Sequence, residues 1–300
     1  MSIVDLQQLK YVVALGQELN FQRASHRVHV TQPTLSQQLK KLEDEMGIPL
    51  FERTSHQVSF TEAGEKFFKC CTDVLSRLEE GLDEIRDDRG TLQGILKVAA
   101  IPTISPYLMP QVLKEVRKKA PDLTIELYEM ITPNLIEALK QGKIDLGIIS
   151  LPIDESSIVA KRIGKEKFVL ACAKEHPLAK KKKVALKDLK KERLLILQEG
   201  HCFSEQALEF CKKSRKDAGV VFQGNSLTSV LNLAAIGEGV TFVPEMAYQK
   251  EGHANLKFIH FSAPSPEREI AMVWRVSTPL SQKHHFVMDL IEKNFKKDIA

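Results

Sequence analysis

Two cysteines, Cys202 and Cys211, stand nine positions apart in the run Gln198-Glu-Gly-His-Cys-Phe-Ser-Glu-Gln-Ala-Leu-Glu-Phe-Cys211. Gly200 breaks the preceding pattern, and Ser204 is a capping residue for a helix over 204–216. Cys202 is thus placed just ahead of a helix N-terminus with His201 beside it, and both neighbours favour a thiolate. A thiolate there is a nucleophile for the O–O bond of a peroxide. Direct bonding of the pair meets a geometric obstacle. Nine helical steps would put the two Cα atoms roughly 13 Å apart with side chains on opposite faces. A disulfide requires about 4.4–6.8 Å. Oxidation of the pair would therefore unwind the segment, coupling redox chemistry to conformation. From spacing alone, two unrelated thiols remain a competing description.

The remaining cysteines, Cys70, Cys71 and Cys172, read as small packing residues. Cys172 lies in the apolar run Phe168-Val-Leu-Ala-Cys-Ala173. No zinc-ligand spacing, Walker loop or GxSxG elbow occurs, so no cofactor is expected and an enzyme is not indicated. A thiol peroxidase would use the same sulfur chemistry but would have no need of a DNA-reading head. With 43% hydrophobic and 27% charged residues the composition is that of a folded protein. No apolar run approaches the ~18 residues of a membrane span. The first residues carry no basic, signal-like region, so a cytoplasmic protein with reduced thiols and no membrane partner is expected. At 300 residues, two or three domains are expected.

The element pattern that must position these groups begins with three short amphipathic helices. Leu6, Leu9, Val12, Val13 and Leu15 mark the first, which should end near Gly16. Asn20 caps a second, running from Phe21 to about His29, with Phe21, Ala24 and Val28 inward. Thr31 caps a third, Pro33 occupies its first turn, and Leu35, Leu39, Leu42 and Met46 form its buried stripe up to Gly47. Its opposite face presents Gln32, Pro33, Thr34, Ser36, Gln37 and Lys40. Those are short or amide-bearing groups suited to base edges and phosphates in a major groove. Extended pieces at 52–53 and 58–60 then form a wing that places Arg53 against a phosphate or the minor groove. Charge alone would not have marked this segment: residues 1–61 hold six Lys/Arg against six Asp/Glu, and the whole chain is +4.

From Gly64 to about Arg86 a single long helix carries Phe68, Cys71, Leu75, Leu78, Leu82 and Ile85 at spacings of three and four, the seam of a coiled coil. So narrow a stripe needs a partner helix, which predicts a homodimer with two reading heads on a dyad-symmetric operator. The stretch 87–94 breaks the pattern as a hinge. Beyond it, strands at 95–100, 123–129, 145–150, 167–173, 194–197, 220–224, 240–243 and 269–275 alternate with helices at 106–119, 133–141, 204–216, 226–236 and 280–296. That is an α/β sheet domain of two lobes around a cleft. The lysines at 180–183, 187, 190 and 191 read as a solvated loop rather than a nucleic-acid patch.

Phe21-Gln-Arg-Ala24, Thr31-Gln-Pro-Thr-Leu-Ser36, Leu39-Lys-Lys-Leu42-Glu43, Leu50-Phe-Glu-Arg53 and Phe60-Thr-Glu-Ala-Gly64 together resemble the DNA-binding domain of the LysR family. His176-Pro-Leu-Ala179 and Gly237-Glu-Gly-Val-Thr-Phe-Val-Pro244 resemble recurring phrases of its effector domain. The resemblance implies an α/β multidomain chain. A winged helix-turn-helix would span 1–61, a linker helix 62–89, and a bilobed, periplasmic-binding-protein-like effector domain 90–300. Lobe I would comprise about 95–164 plus 266–300, and lobe II about 165–265. It implies double-stranded operator DNA and RNA polymerase as partners, and a homodimer assembling to a homotetramer.

Glu199-Gly-His-Cys202, Gln206-Ala207, Phe210-Cys211, Ile101-Pro-Thr103 and Pro106-Tyr-Leu108 with Pro110 resemble the hydrogen-peroxide sensors within that family. By that likeness Cys202 is the peroxidatic and Cys211 the resolving cysteine of a redox switch controlling oxidative-stress genes. Thr103, Thr132, His201 and Arg275 would then position the peroxide or shape its pocket. The alternative within the family is a regulator answering to a small metabolite in the cleft, with incidental cysteines.

Overall fold

The computed structural model describes residues 4–53, 57–87, 92–197, 220–224, 226–250 and 254–298. The chain opens with α1 (Leu6–Glu18), α2 (Phe21–Arg27), α3 (Gln32–Met46), β1 (Phe51–Arg53) and β2 (Val58–Phe60). Local chemistry sets the helix ends. The side chains of Asp5, Asn20 and Thr31 accept from Gln8, Arg23 and Thr34 backbone N–H groups, capping α1, α2 and α3. Gly47 closes α3 in a left-handed conformation. Gly16, the expected end of α1, is buried inside the helix instead, and Leu19 takes the left-handed cap. Ala24, Leu35, Leu39, Leu42 and Leu50 are fully buried in the core beneath the three helices.

The linker helix α4 (Glu62–Asp87) starts inside this core. A Cβ on Gly64 would lie 1.8 Å from Leu50 O, so only glycine lets the helix backbone touch the base of the wing. Phe68 and Cys71, expected on a seam facing a partner, are covered by the chain's own helices. Beyond them Val74, Leu78 and Leu82 are 45%, 42% and 44% exposed, an apolar stripe left open along the helix. Cys70, expected to pack, is exposed. Cys71 and Cys172 are buried as expected, and burial pushes their thiols up to about 12 and about 11.

After the linker, β3 (Gly94–Ala100), α5 (Ser105–Lys119), β4 (Leu123–Glu129), α6 (Thr132–Lys140) and β5 (Leu146–Ser150) wind a parallel unit with β3 between β4 and β5. The long strand β6 (Ile158–Ala173) joins the two lobes. Its first half pairs antiparallel with β11 (Glu267–Arg275), and its second half with β9 (Thr241–Pro244) and β10 (Leu256–His260). The sheet runs β10-β6-β11-β5-β3-β4 with β9 also on β6. In lobe II, β7 (Leu194–Leu197) and β8 (Val220–Gly224) pair in parallel beside α7 (Leu227–Ala235), while α8 (Glu245–Lys250) packs on β6 and β9. The last helix, α9 (Gln282–Asp298), returns to pack on α5 and β6, as the sequence pattern predicts.

Three features were not expected: the first half of β6, all of β10, and the six-residue α8. The lysines at 180–183 are exposed between two short 3₁₀ turns, Pro177–Lys180 and Leu186–Lys191, as a solvated loop should be. Among the described residues no helix is long and apolar enough to cross a membrane.

Candidate functional site

The exposed face of α3 carries Gln32, Pro33, Thr34, Gln37 and Lys40, with Ser36 half-buried at its edge. Thr34 is committed in part to the cap, its hydroxyl lying 2.8 Å from that of Thr31. Arg53 is less free than its place on the wing suggested. Its Nη2 donates to Glu43 Oε2 at 2.6 Å, its Nη1 to Ser36 Oγ at 3.4 Å, and its guanidinium stands 5.0 Å over the Phe21 ring. Glu43 Oε1 in turn accepts from the Leu50 and Phe51 N–H groups at 2.8 and 3.0 Å. Glu43 is therefore the brace that sets the wing's angle to the reading helix, a role the sequence did not reveal. A guanidinium pinned by one carboxylate still has N–H groups directed outward, and its side chain is 32% exposed.

The second site lies where the parallel strands end. Thr103 follows β3 by three residues, Thr132 follows β4 by three, and Met130 N donates to Ala100 O at 3.2 Å, holding the two exits side by side. Helices α5 and α6 begin at the crevice outside the strand ends without side-chain caps; in α5 the backbone serves instead, Ser105 N donating to Ile101 O at 2.9 Å and Tyr107 N to Ile104 O at 3.1 Å. Thr103 and Thr132 are both buried. Across the crevice Arg268 of β11 donates Nη1 to Thr103 Oγ1 at 2.8 Å and Nη2 to Thr103 O at 3.1 Å. Its Nε donates to Glu166 Oε2 at 2.7 Å. Glu166 Oε1 accepts from Met246 N, at the start of α8, at 2.9 Å.

Both side chains of this ion pair are 0% exposed, so neither ion has water to fall back on. The pair ties the β3 exit, the mid-point of β6 and lobe II into one polar network at the junction of the lobes. Beside it, a groove of about 510 Å³ is lined by Leu151, Ile153, Glu155, Arg162 and the 267–269 stretch of β11. Among the described residues no group of three or more His, Cys, Asp or Glu could hold a metal ion.

Arg275, expected beside Thr103, is not there. It ends β11, whereas Arg268 is near its start, and seven strand steps separate the two by about 23 Å. The spacing Arg268, Ile270, Met272, Trp274 puts Arg268 on a buried face of β11, and that alternation was the available signal for it. Cys202, Cys211 and His201 lie outside the described residues. In the chain, Cys202 comes five positions after β7 and Cys211 nine before β8.

Comparison with known proteins agrees with both halves of this description. Residues 6–65 match the model of the bacterial regulatory helix-turn-helix proteins of the lysR family, and residues 89–296 match the LysR substrate binding domain. The chain is 35% identical over 295 residues to a hydrogen peroxide-inducible genes activator of Pectobacterium carotovorum, covering 98% of this chain and 97% of the relative. It is 34% identical over 290 residues to the DNA-binding transcriptional dual regulator OxyR of Escherichia coli K12, covering 96% and 95%. A full-length OxyR variant from Pseudomonas aeruginosa superposes with a TM-score of 0.79 at 33% identity, over 97% of both chains. A hydrogen peroxide-bound OxyR mutant from Corynebacterium glutamicum gives 0.67 at 30%, over 100% of this chain and 96% of the other. The chain belongs to the LysR family of bacterial DNA-binding transcriptional regulators.

Proposed function

We propose that this regulator senses hydrogen peroxide through Cys202 and Cys211 and passes the signal to operator DNA. The observation that carries the reading is likeness over nearly the whole chain to named hydrogen peroxide-inducible activators, in a sequence that holds both cysteines. The Cys202 thiolate attacks one peroxide oxygen, the O–O bond breaks, and the departing oxygen leaves as water after taking a proton. Cys202 is now a sulfenic acid. The Cys211 sulfur then attacks it, releasing a second water and closing the disulfide. Two thiols are oxidised by two electrons and one peroxide is reduced, once per switching event and not as enzymatic turnover.

In this reading His201 and the buried Thr103 and Thr132 flank the reacting sulfur, while Gln32, Pro33, Thr34, Ser36, Gln37, Lys40 and Arg53 meet DNA. A division at 1–61, 62–89 and 90–300 serves it, with the open stripe on α4 taken by a second copy. Assembly to a homotetramer, contact with RNA polymerase and a cytoplasmic location complete the proposal. A Cys202→Ser protein should lose all change in operator binding on peroxide treatment. The groove of about 510 Å³ has the size of a small-ligand site and favours the second reading, a metabolite-responsive regulator. Full response in the Cys202→Ser protein would establish that reading in place of the first.

A further inference from the structure

Strand β11 is anchored by an arginine towards each end, and the two arginines hold different elements. Arg268 binds Thr103 and Glu166 at the crevice. Arg275 donates Nη2 to Ser76 Oγ on the linker helix at 3.2 Å and Nε to Thr278 Oγ1 at 3.1 Å. Two residues on, Ser277 Oγ donates to Asp73 Oδ1 on the same helix at 2.5 Å. The reading head reaches this place as well: Gln17 Nε2 on α1 donates to Gln141 O, in the turn after α6, at 2.7 Å.

The packing there leaves no slack. Gly142, in that turn, has φ +65°, and a Cβ on it would stand 2.5 Å from Arg275 Nη1 and 2.6 Å from Thr72 Cγ2. Arg275 is only 6% exposed. Burial disfavours the charged guanidinium, and the nearby Asp145 and Asp73 carboxylates offset only part of that cost, while its Nη2 bond reaches across to α4.

We propose that Arg275, together with Ser277, is a positioning residue that clamps the linker helix to the effector domain, so that β11 ties the sensory crevice to the orientation of the reading head. The strand pairs with β6 along its length, with a register shift between Ile270 and Ala271, and with β5 over Ile270–Val273, so it is held on both sides between the two arginines. The clamp follows from the contacts alone. Its part in signalling rests on the peroxide reading above.

The test uses full-length protein in three variants. Arg275→Ala removes the clamp from the strand side. Asp73→Ala with Ser76→Ala removes it from the helix side and keeps the buried arginine, in case the first variant folds poorly. Gly142→Ala opens the junction without deleting a polar group. In reduced protein, hydrogen exchange over residues 72–78 should rise about tenfold in each variant relative to wild type. After stoichiometric peroxide the variants should form the Cys202–Cys211 disulfide at the wild-type rate, yet give the same operator footprint before and after. Arg275→Lys, which can still reach Ser76, should restore part of the footprint change. Wild-type exchange in α4 together with a wild-type footprint change in the helix-side variant would overturn the clamp. Absence of the disulfide in wild type would instead defeat the peroxide reading, while the exchange measurement would still decide the clamp.

Discussion

Replacing Arg268 with Met strands a carboxylate. Glu166 would keep one donor, Met246 N at 2.9 Å, and lose the guanidinium that now lies 2.7 Å from its Oε2. Its side chain is fully buried, so water cannot take the place of the lost partner. Removing one member of such a pair costs about 3–5 kcal/mol. For a domain of about 200 residues each kcal/mol moves the midpoint by about 2–4 °C, which gives a fall of about 6–20 °C. Converting Glu166 to Met as well removes the stranded charge and leaves unbonded the Met246 N–H and the Thr103 groups, at about 1–3 kcal/mol each if fully orphaned. The double variant should therefore melt above the single one. Thermal scans of reduced protein by circular dichroism suffice, compared as midpoints because a multidomain chain need not unfold in one step. A single variant within about 1 kcal/mol of wild type, or a double variant no better than the single, would refute the claim that this pair is desolvated and interdependent.

On DNA, Gln37→Ala should relax base preference, whereas Arg53→Ala should weaken binding to every sequence and flatten its salt dependence; titrations at several salt concentrations distinguish the two. Among Cys70, Cys71 and Cys172, alkylation of native protein followed by peptide mass analysis should find Cys70 modified and the other two protected until denaturant is added, since burial holds their thiols at about 12 and about 11. Glu155 is held down to about 2 from its ordinary 4.5 by hydrogen bonds from Lys140 and then Ser157. A depressed carboxyl stabilises above its unfolded value and loses that contribution as pH falls through its folded one. The small midpoint gap between wild type and Glu155→Gln should accordingly hold at pH 6 and close between about 4.5 and 2. A gap independent of pH would contradict the assignment.

The reading head was legible because its signals are local. Thr31, Pro33 and Gly47 bound a helix whose leucines recur every turn, and each end is fixed by atoms a few residues away. The exception was Gly16, which a buried contact with Phe68 keeps inside α1 against its own propensity. In the effector domain the apolar strands were equally plain. The first half of β6 was not, because Lys161, Arg162, Lys165 and Lys167 are exposed along it and a register shift against β11 leaves the buried Ile163 and Glu166 three positions apart, out of strand alternation. Helix α8 is too short to show a period. The Glu166–Arg268 pair spans 102 positions, and nothing local distinguishes two buried opposite charges from two solvated ones. The resemblance to peroxide sensors places Arg275 at the pocket, whereas the strand carries it to the linker helix, where it bonds Ser76. The seam on α4 misled in the other direction: Phe68 and Cys71 satisfy a coiled-coil spacing while packing within their own chain.

The central claim is that oxidation of one cysteine pair changes how this regulator reads DNA. Full-length reduced protein should be treated with one equivalent of hydrogen peroxide and divided between peptide mass spectrometry and operator footprinting. A Cys202–Cys211 disulfide appearing together with an altered footprint, both absent from Cys202→Ser and both reversed by thiol reductant, is the predicted result. A verified disulfide with an unchanged footprint would contradict the account.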